Sequence, residues 1–189
     1  MIVTPKQDIF EPGDSKNPLR IFTKGKDYIV YALYLEKDIP KWYCLLHDED
    51  AGYYPMAHEA IKFKVVDNDT TANWVYSKKR GVFRKEQTYS YPEWANDKTY
   101  YQYLVGDDLH PAESKKAANV FQDKVAQYTK DYAIKKFGSV KAAKEHVLKK
   151  RYEDELRLHK ERGFDRPEKP EVTDKILDSL PLRMADIAD

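Results

Sequence analysis

Two histidines and three acidic residues form the densest group of chemically useful side chains in the sequence. These residues are His47, Asp48, Glu49, Asp50 and His58. Imidazole nitrogens and carboxylate oxygens bind divalent metals when they converge on one point. An acidic run of this kind is also typical of a solvated hairpin tip, and neighbours on an extended strand point to opposite faces. We therefore predict neither a metal nor another cofactor, and a metal enzyme or hydrolase centred on the two histidines stays a third interpretation.

Other patterns that would carry catalysis are incomplete. Cys44 lies between Tyr43 and Leu45 in an apolar run, which is typical of a small buried hydrophobe rather than of an activated nucleophile. Glu155 and His159 are four residues apart, a spacing that supports a helix surface. The sequence has no His-Glu-x-x-His motif and no glycine-rich phosphate loop. We expect a protein without enzymatic activity.

Basic residues cluster in two places. One is the run Lys78, Lys79 and Arg80, and the other is the segment 112–162, which holds 14 basic and 8 acidic residues. Basic clusters beside aromatic rings are typical of nucleic-acid binding. In the second segment the acidic residues are interleaved with the basic ones, which favours a solvated helix surface. A nucleic-acid-associated factor is therefore the alternative interpretation.

Large amphipathic side chains flank the acidic run and indicate a protein-binding surface. Tyrosine and tryptophan dominate binding hot spots because they offer a large contact area at little entropic cost. The predicted partner-binding residues are Trp42, Tyr43, Asp48, Glu49, Asp50, Tyr53 and Tyr54. The other interpretation is that these rings pack against the helical half of the chain.

The front half of the chain is predicted to be rich in β-strands. Of the 25 aromatic residues, 19 lie in residues 1–103, and aromatic side chains suit pleated surfaces. Short runs with strand character, separated by turn-like residues, cover 19–23, 27–35, 41–47 and 63–67. Such closely spaced short strands predict a small barrel.

From Pro111 onward, the composition changes to that of helices. An apolar stripe runs to Phe137, and Gly138 is placed to end the first helix. Ser139 then begins a second helix from Val140 to about residue 162. Two helices joined by Gly-Ser predict an antiparallel hairpin. The predicted organisation is 1–76 as the barrel, 77–110 as a connecting segment with a short helix, 111–163 as the hairpin, and 164–189 as a linker with a helical tail.

Composition limits the class of protein. The 189 residues carry a formal net charge of +1 and a single cysteine, so no overall field drives the chain toward DNA or a membrane. One cysteine allows no internal disulfide, and no window is apolar enough to span a bilayer. We expect a cytoplasmic protein that does not contact membranes.

Residues 20–75 resemble short bacterial SH3-like barrel proteins of unassigned function. The likeness is carried by Lys24-Gly25-Lys26, Tyr28, Val30, Trp42-Tyr43, Leu45, Asp48-Glu49, Tyr54-Pro55, Phe63, Val65, Val66 and Asp67. This sequence departs from the Tyr-Pro-Pro that is usual in that family, because Met56 follows Pro55. The resemblance implies a small SH3-like antiparallel barrel for this segment. Together with the helices indicated by composition and capping residues, the predicted fold class is α+β, with the barrel followed by the helical hairpin and a short C-terminal helix. We expect a non-enzymatic bacterial protein-binding module, in its narrowest form a toxin-neutralising immunity protein.

Overall fold

A computed structural model describes residues 1–11, 19–48, 54–69, 73–80 and 85–188. The described strands are short and all lie in the first 90 residues: β1 Ile2–Pro5, β2 Ile9–Phe10, β3 Arg20–Phe22, β4 Tyr28–Ile29, β5 Ala32–Glu36, β6 Ile39–Leu45, β7 Met56–Glu59, β8 Phe63–Asp67, β9 Val75–Arg80 and β10 Lys85–Ser90. A single 3₁₀ turn, Ala60–Lys62, separates β7 from β8. The helices follow the strands: α1 Pro92–Asn96, α2 Tyr100–Leu104, α3 Pro111–Phe137, α4 Val140–Arg162, α5 Asp174–Ser179 and α6 Met184–Ile187.

The predicted SH3-like barrel is wrong. The described strands form three sheets, in the orders β4-β1-β8, β7-β6-β5-β10-β9 and β2-β3, and none of the three closes on itself within the described residues. The five-stranded sheet stays open because β10 inserts beside β5 and continues it with β9. β10 and most of β9 lie within 77–110, which the sequence predicted as a connecting segment with a short helix; their residues are mostly polar. The α+β content predicted from composition is present.

The predicted strand over 27–35 is divided between two sheets. β4 pairs with β1, whereas β5 pairs with β6 and β10. The change of sheet falls at Val30 and Tyr31, whose amides donate to the carbonyls of Met1 and Cys44 respectively. Because each backbone amide finds a partner, the chain leaves one sheet and enters the next without a buried orphan donor.

The hairpin between β5 and β6 turns at Lys37 and Asp38, which both have positive φ values, of 51° and 67°. Two consecutive left-handed residues characterise the type I′ turn, whose twist matches that of the strands it joins. Neither residue is a glycine, so this turn carries some backbone strain.

The two long helices have the bounds that the sequence predicts. α3 begins at Pro111 and its last residue, Phe137, precedes Gly138, which has φ of 82°. Ser139 caps α4 by accepting a hydrogen bond from the amide of Ala142, and Gly163 ends it in the left-handed conformation. α4 contacts α5 and α6, and the ring of Phe137 at the end of α3 lies 4.9 Å from that of His146 on α4; the antiparallel packing of α3 and α4 stays a prediction.

The chain divides into two compact units, and the division falls inside α3. The first unit comprises residues 1–124 with the chain end from residue 188. Its core is formed by large buried side chains, among them Val3, Phe22, Tyr31, Leu45, Tyr91 and Phe121. The second unit, 125–187, has a smaller core that includes Tyr128, Thr129, Tyr132, Ala133, Ala143, Val147, Leu177 and Ile187.

The end of the chain is held by the first unit. The carbonyl of Ala188 accepts a hydrogen bond from the amide of Asp27, and Ala188 itself is buried. No helix in the described part of the chain has the length and apolar character that crossing a bilayer requires.

Candidate functional site

Asp48 is the centre of a hydrogen-bonded network at the end of β6. Its carboxylate accepts bonds from the hydroxyls of Thr23 and Tyr28, at 2.6 and 2.7 Å, and lies 2.9 Å from the ammonium of Lys26. The Tyr28 hydroxyl in turn accepts the backbone amide of Thr23 at 2.8 Å. The turn between β3 and β4, with Gly25 at φ of 83°, wraps these donors around the carboxylate.

This network decides the charge state of Asp48. Burial alone raises the pKa of a carboxyl group, but the hydrogen bonds from Thr23, Lys26 and Tyr28 outweigh that effect, so the pKa of Asp48 lies below its ordinary value. The pKa of Tyr28 is raised, mainly by burial and further by its bond to the carboxylate. At neutral pH the site therefore holds a carboxylate beside a protonated phenol and an ammonium.

His47 and His58 meet beside this network. His47 follows the end of β6, and His58 lies on β7 opposite Tyr43. Their Nε2 atoms are 3.0 Å apart, and the ring centroids are separated by 5.1 Å. The sequence proposed this pair as a possible site, and the fold brings its two members into direct contact.

A buried phenylalanine holds the two imidazole rings in place. Phe22 meets His47 and His58 edge to face, with centroid distances of 5.2 and 4.8 Å. It also contacts Tyr28 and Phe63 in the same manner. Since Phe22 has no solvent exposure, movement of either histidine ring requires repacking of this core residue.

Both histidines are neutral at physiological pH. Burial lowers the pKa of His47, and the carboxylates of Glu11 and Asp48 act in the opposite direction. Burial lowers the pKa of His58 to about 4, with further lowering by His47 and Lys62. In the neutral pair, one Nε2 carries the shared proton and the other presents a lone pair.

Among the described residues, no third histidine, cysteine, aspartate or glutamate completes a metal-binding group around the pair. Cys44 is buried, and burial raises the pKa of its thiol, so it packs as a small apolar side chain. What the site offers chemically is two imidazole nitrogens held at a fixed spacing beside a negative carboxylate.

The predicted partner-binding residues lie in different environments. Trp42 is half-buried, while Tyr43 next to it is buried and contacts Phe63 at a centroid distance of 6.1 Å. Tyr54 is half-buried, and the carboxylate of Asp48 is engaged internally. The remaining predicted residues, Glu49, Asp50 and Tyr53, lie outside the described residues.

The predicted basic cluster lies on the hairpin of β9 and β10. The backbone register places Lys78 opposite Gln87, Lys79 opposite Glu86, and Arg80 opposite Lys85. β10 pairs with β5 only over Gln87–Ser90, so the end that carries most of the cations pairs within the hairpin alone. Tyr76, on the same strand as Lys78, is exposed, and the Lys78 ammonium lies 5.6 Å from the centre of its ring.

The cations of α4 are placed differently. Several of them pair with acidic side chains of the same helix or of the segment that follows: Lys149 with Glu153, Arg157 with Asp154, Lys141 with Asp174, and Arg151 with Asp186. This agrees with the interpretation of an interleaved, solvated helix surface.

Sequence reasoning missed the partners of Asp48. Thr23 and Tyr28 lie 25 and 20 residues before it, and only the turn signal at Gly25 marks their segment. It also missed Phe22 as the residue that holds both histidines, since nothing in a short apolar run indicates which rings it will meet.

Comparisons with known proteins add no relative. No protein-family model, no curated protein and no solved structure matches this chain.

Proposed function

We propose that the protein binds nucleic acid through the β9–β10 hairpin. The observation that carries the proposal is the register of the hairpin, which sets Arg80 directly opposite Lys85. A strand pair that carries basic residues at opposed positions of the register suits an anionic partner lying along the ribbon, and a phosphate backbone supplies closely spaced negative charges.

The charge of the hairpin is concentrated at one end. Between residues 78 and 85 the sequence has five basic residues and no acidic one. Glu86 is the sole acidic residue of the two strands. The ion pairs of α4 neutralise much of that helix, so the hairpin is the stronger source of local positive potential.

The shape of the hairpin fits the same partner. A two-stranded β-ribbon can enter the major groove of a duplex. The described part of β9 has no strand on its outer side. The exposed ring of Tyr76 beside Lys78 adds a surface on which an unpaired base can stack.

The test is fluorescence anisotropy with labelled 20-mers of duplex DNA, single-stranded DNA and single-stranded RNA, titrated over a series of salt concentrations. We expect binding that weakens steeply with salt. The triple variant Lys78→Ala, Lys79→Ala, Arg80→Ala should bind about tenfold or more weakly, and should lower the slope of log K against log salt by about 2.

A matched control removes three cations elsewhere. Lys115, Lys116 and Lys130 are exposed on α3, and their replacement by alanine changes the net charge equally. This variant should keep the slope of the parent chain. Equal losses in the two triple variants, or no binding of any probe at 50 mM salt, would refute the proposal.

A protein partner is the second candidate, and β8 is the specific observation that favours it. β8 is the outer strand of its sheet among the described residues, and a bulge at Val66 interrupts its pairing with β1. Val65 and Val66 are both exposed, at 41% and 54%. Adjacent exposed valines are an apolar surface suited to the side chains of another protein.

Affinity capture from a nuclease-treated lysate tests this candidate. A stoichiometric protein identified by mass spectrometry should, when purified, bind the parent chain and lose affinity for a Val65→Lys, Val66→Lys variant. The control is Ile39→Lys, at an exposed apolar residue of β6. Equal binding by both variants would remove β8 as the contact surface. The narrower expectation of a toxin-neutralising protein stays a prediction, as does the absence of enzymatic activity.

A further inference from the structure

We propose that His47 and His58 form a two-imidazole binding site for a late first-row divalent metal ion, with Cu²⁺ bound most tightly. The proposal is independent of nucleic-acid binding, since the two histidines belong to β7 and the end of β6 and the basic residues belong to the hairpin. It begins from the direct contact of the two Nε2 atoms at 3.0 Å.

The spacing of the nitrogens selects a coordination geometry. Metal–imidazole bonds are about 2.0–2.1 Å long, so two nitrogens 3.0 Å apart subtend about 94° at a shared ion. A tetrahedral angle would need a separation of about 3.3 Å. Near-right angles are the cis angles of square-planar and octahedral sites, which favours Cu²⁺ and Ni²⁺ over Zn²⁺.

Chelation requires both rings to turn against Phe22, because in the hydrogen-bonded pair one Nε2 is directed at the other. The ring centroids, 5.1 Å apart, approach each other by roughly 0.4 Å when both lone pairs turn toward one ion. The proton shared between the two Nε2 atoms moves to Nδ1 of the donating ring, so both Nε2 atoms become free and no net proton is released.

Charges of both signs surround the pair, and Lys26 already pairs with the Asp48 carboxylate. The carboxylates of Glu11 and Asp48 act electrostatically on His47, whereas Lys62 acts on His58 in the opposite sense. Phe22 fixes the rings on their apolar side. Both histidines are half-buried, so water can occupy the remaining positions of the ion.

Binding is measured with the untagged full chain after chelator treatment, by isothermal titration with CuCl₂ and NiCl₂ and by electron paramagnetic resonance of the Cu²⁺ complex. We expect one ion per chain, tighter for Cu²⁺ than for Ni²⁺, and hyperfine coupling to two equatorial nitrogens. His47→Gln and His58→Gln should each weaken Cu²⁺ binding by at least about tenfold.

The control is the double variant His110→Gln, His146→Gln, which removes two exposed histidines outside the site. It should bind Cu²⁺ as the parent chain does. The proposal is overturned by equal affinity in the parent and both single variants, by dependence on only one of the two histidines, or by an absence of binding at 1 mM metal.

Nuclear magnetic resonance of the histidine side-chain nitrogens tests the site in the parent chain, without a variant that fails to fold. In the ¹⁵N-labelled parent chain, addition of less than one equivalent of paramagnetic Cu²⁺ should broaden the Nε2 resonances of His47 and His58 together, and leave those of His110 and His146 in place. Unbroadened Nε2 resonances of His47 and His58 would count against the site.

Discussion

The β-rich region and the helical region hold their acidic side chains in opposite ways. Asp48 and its partner Lys26 are 13% and 15% exposed, and two hydroxyls complete the set of donors to the carboxylate. Glu153 pairs with Lys149 on α4, where the two side chains are 61% and 74% exposed. The first carboxylate is enclosed by the fold, whereas the second lies on the surface of a single helix.

The difference shows where this chain can prearrange chemistry. A partly buried carboxylate with fixed donors creates a lasting local field, because solvent screens it little. An exposed pair on a helix contributes to solubility and adds little stability. The two histidines lie beside the first kind of carboxylate, so their environment is set by the fold rather than by solvent.

The largest expected effect is the loss of the Asp48 carboxylate. Asp48→Ala leaves the ammonium of Lys26 and two hydroxyls without their acceptor, and we expect a loss of about 2–4 kcal/mol of unfolding free energy. Urea denaturation followed by circular dichroism measures it. The matched variant Glu153→Ala should change the unfolding free energy by no more than about 0.5 kcal/mol. Similar losses of unfolding free energy in the two variants would mean that the enclosed carboxylate of Asp48 stabilises the chain no more than the exposed pair on α4 does.

A second test uses the pH dependence of stability in the presence of a chelator. The pKa of His58 is about 4 in the folded chain, against about 6.5 in the unfolded chain. Because the unfolded state takes up the proton first, stability is complete above pH 6.5 and falls as the pH drops from about 6.5 to 4. For a partly exposed residue we expect a loss of about 1–2 kcal/mol.

Asp48 acts in a lower pH window, which separates the two effects. Its folded pKa is below the unfolded value, so its contribution is present above about pH 4 and is lost on further acidification. His58→Gln should reduce the decline between pH 6.5 and 4, leaving the part that His47 contributes, and should leave the decline below pH 4 unchanged. If the His58→Gln variant still loses the same amount of stability between pH 6.5 and 4, groups other than His58 cause that loss.

The helical region was predictable because its signals are local. Pro111, Gly138, Ser139 and Gly163 mark the ends of α3 and α4 within one or two residues of the bonds they make. Capping residues bond to their nearest neighbours along the chain, so they predict helix ends without knowledge of the fold.

The β-rich region was only partly predictable because its pairings are long-range. The bounds of β8 agree with the predicted strand, but its partner β1 is a four-residue strand at the start of the chain that the sequence did not single out. β10 is mostly polar, yet it lies between β5 and β9. The position of β10 inside the sheet outweighed the low strand propensity of its polar residues. The barrel prediction was wrong because it did not include this strand.

The same distinction applies to the site. His47 and His58 were recognised by residue type, but their contact depends on the pairing of β6 with β7 and on the position of Phe22. Thr23, Lys26 and Tyr28 carry no motif that indicates a bond to Asp48. Residue types suggested the candidates, and only the fold shows which of them meet.

The smallest expected effect concerns a turn, where the β-rich region depends on local sequence as the helices do. Lys37 and Asp38 adopt left-handed conformations that asparagine and glycine adopt at lower cost. Lys37→Asn with Asp38→Gly should raise the unfolding free energy by about 0.5–1 kcal/mol. The second change also removes the 3.3 Å bond from the Tyr76 hydroxyl to Asp38, so Lys37→Asn alone is the control that keeps it.

If the single variant is stabilised and the double variant is not, the bond between the β9 hairpin and this turn outweighs the strain in Asp38. A loss in both would mean that the turn is not strained at either position, and chemical denaturation of the three chains distinguishes these outcomes.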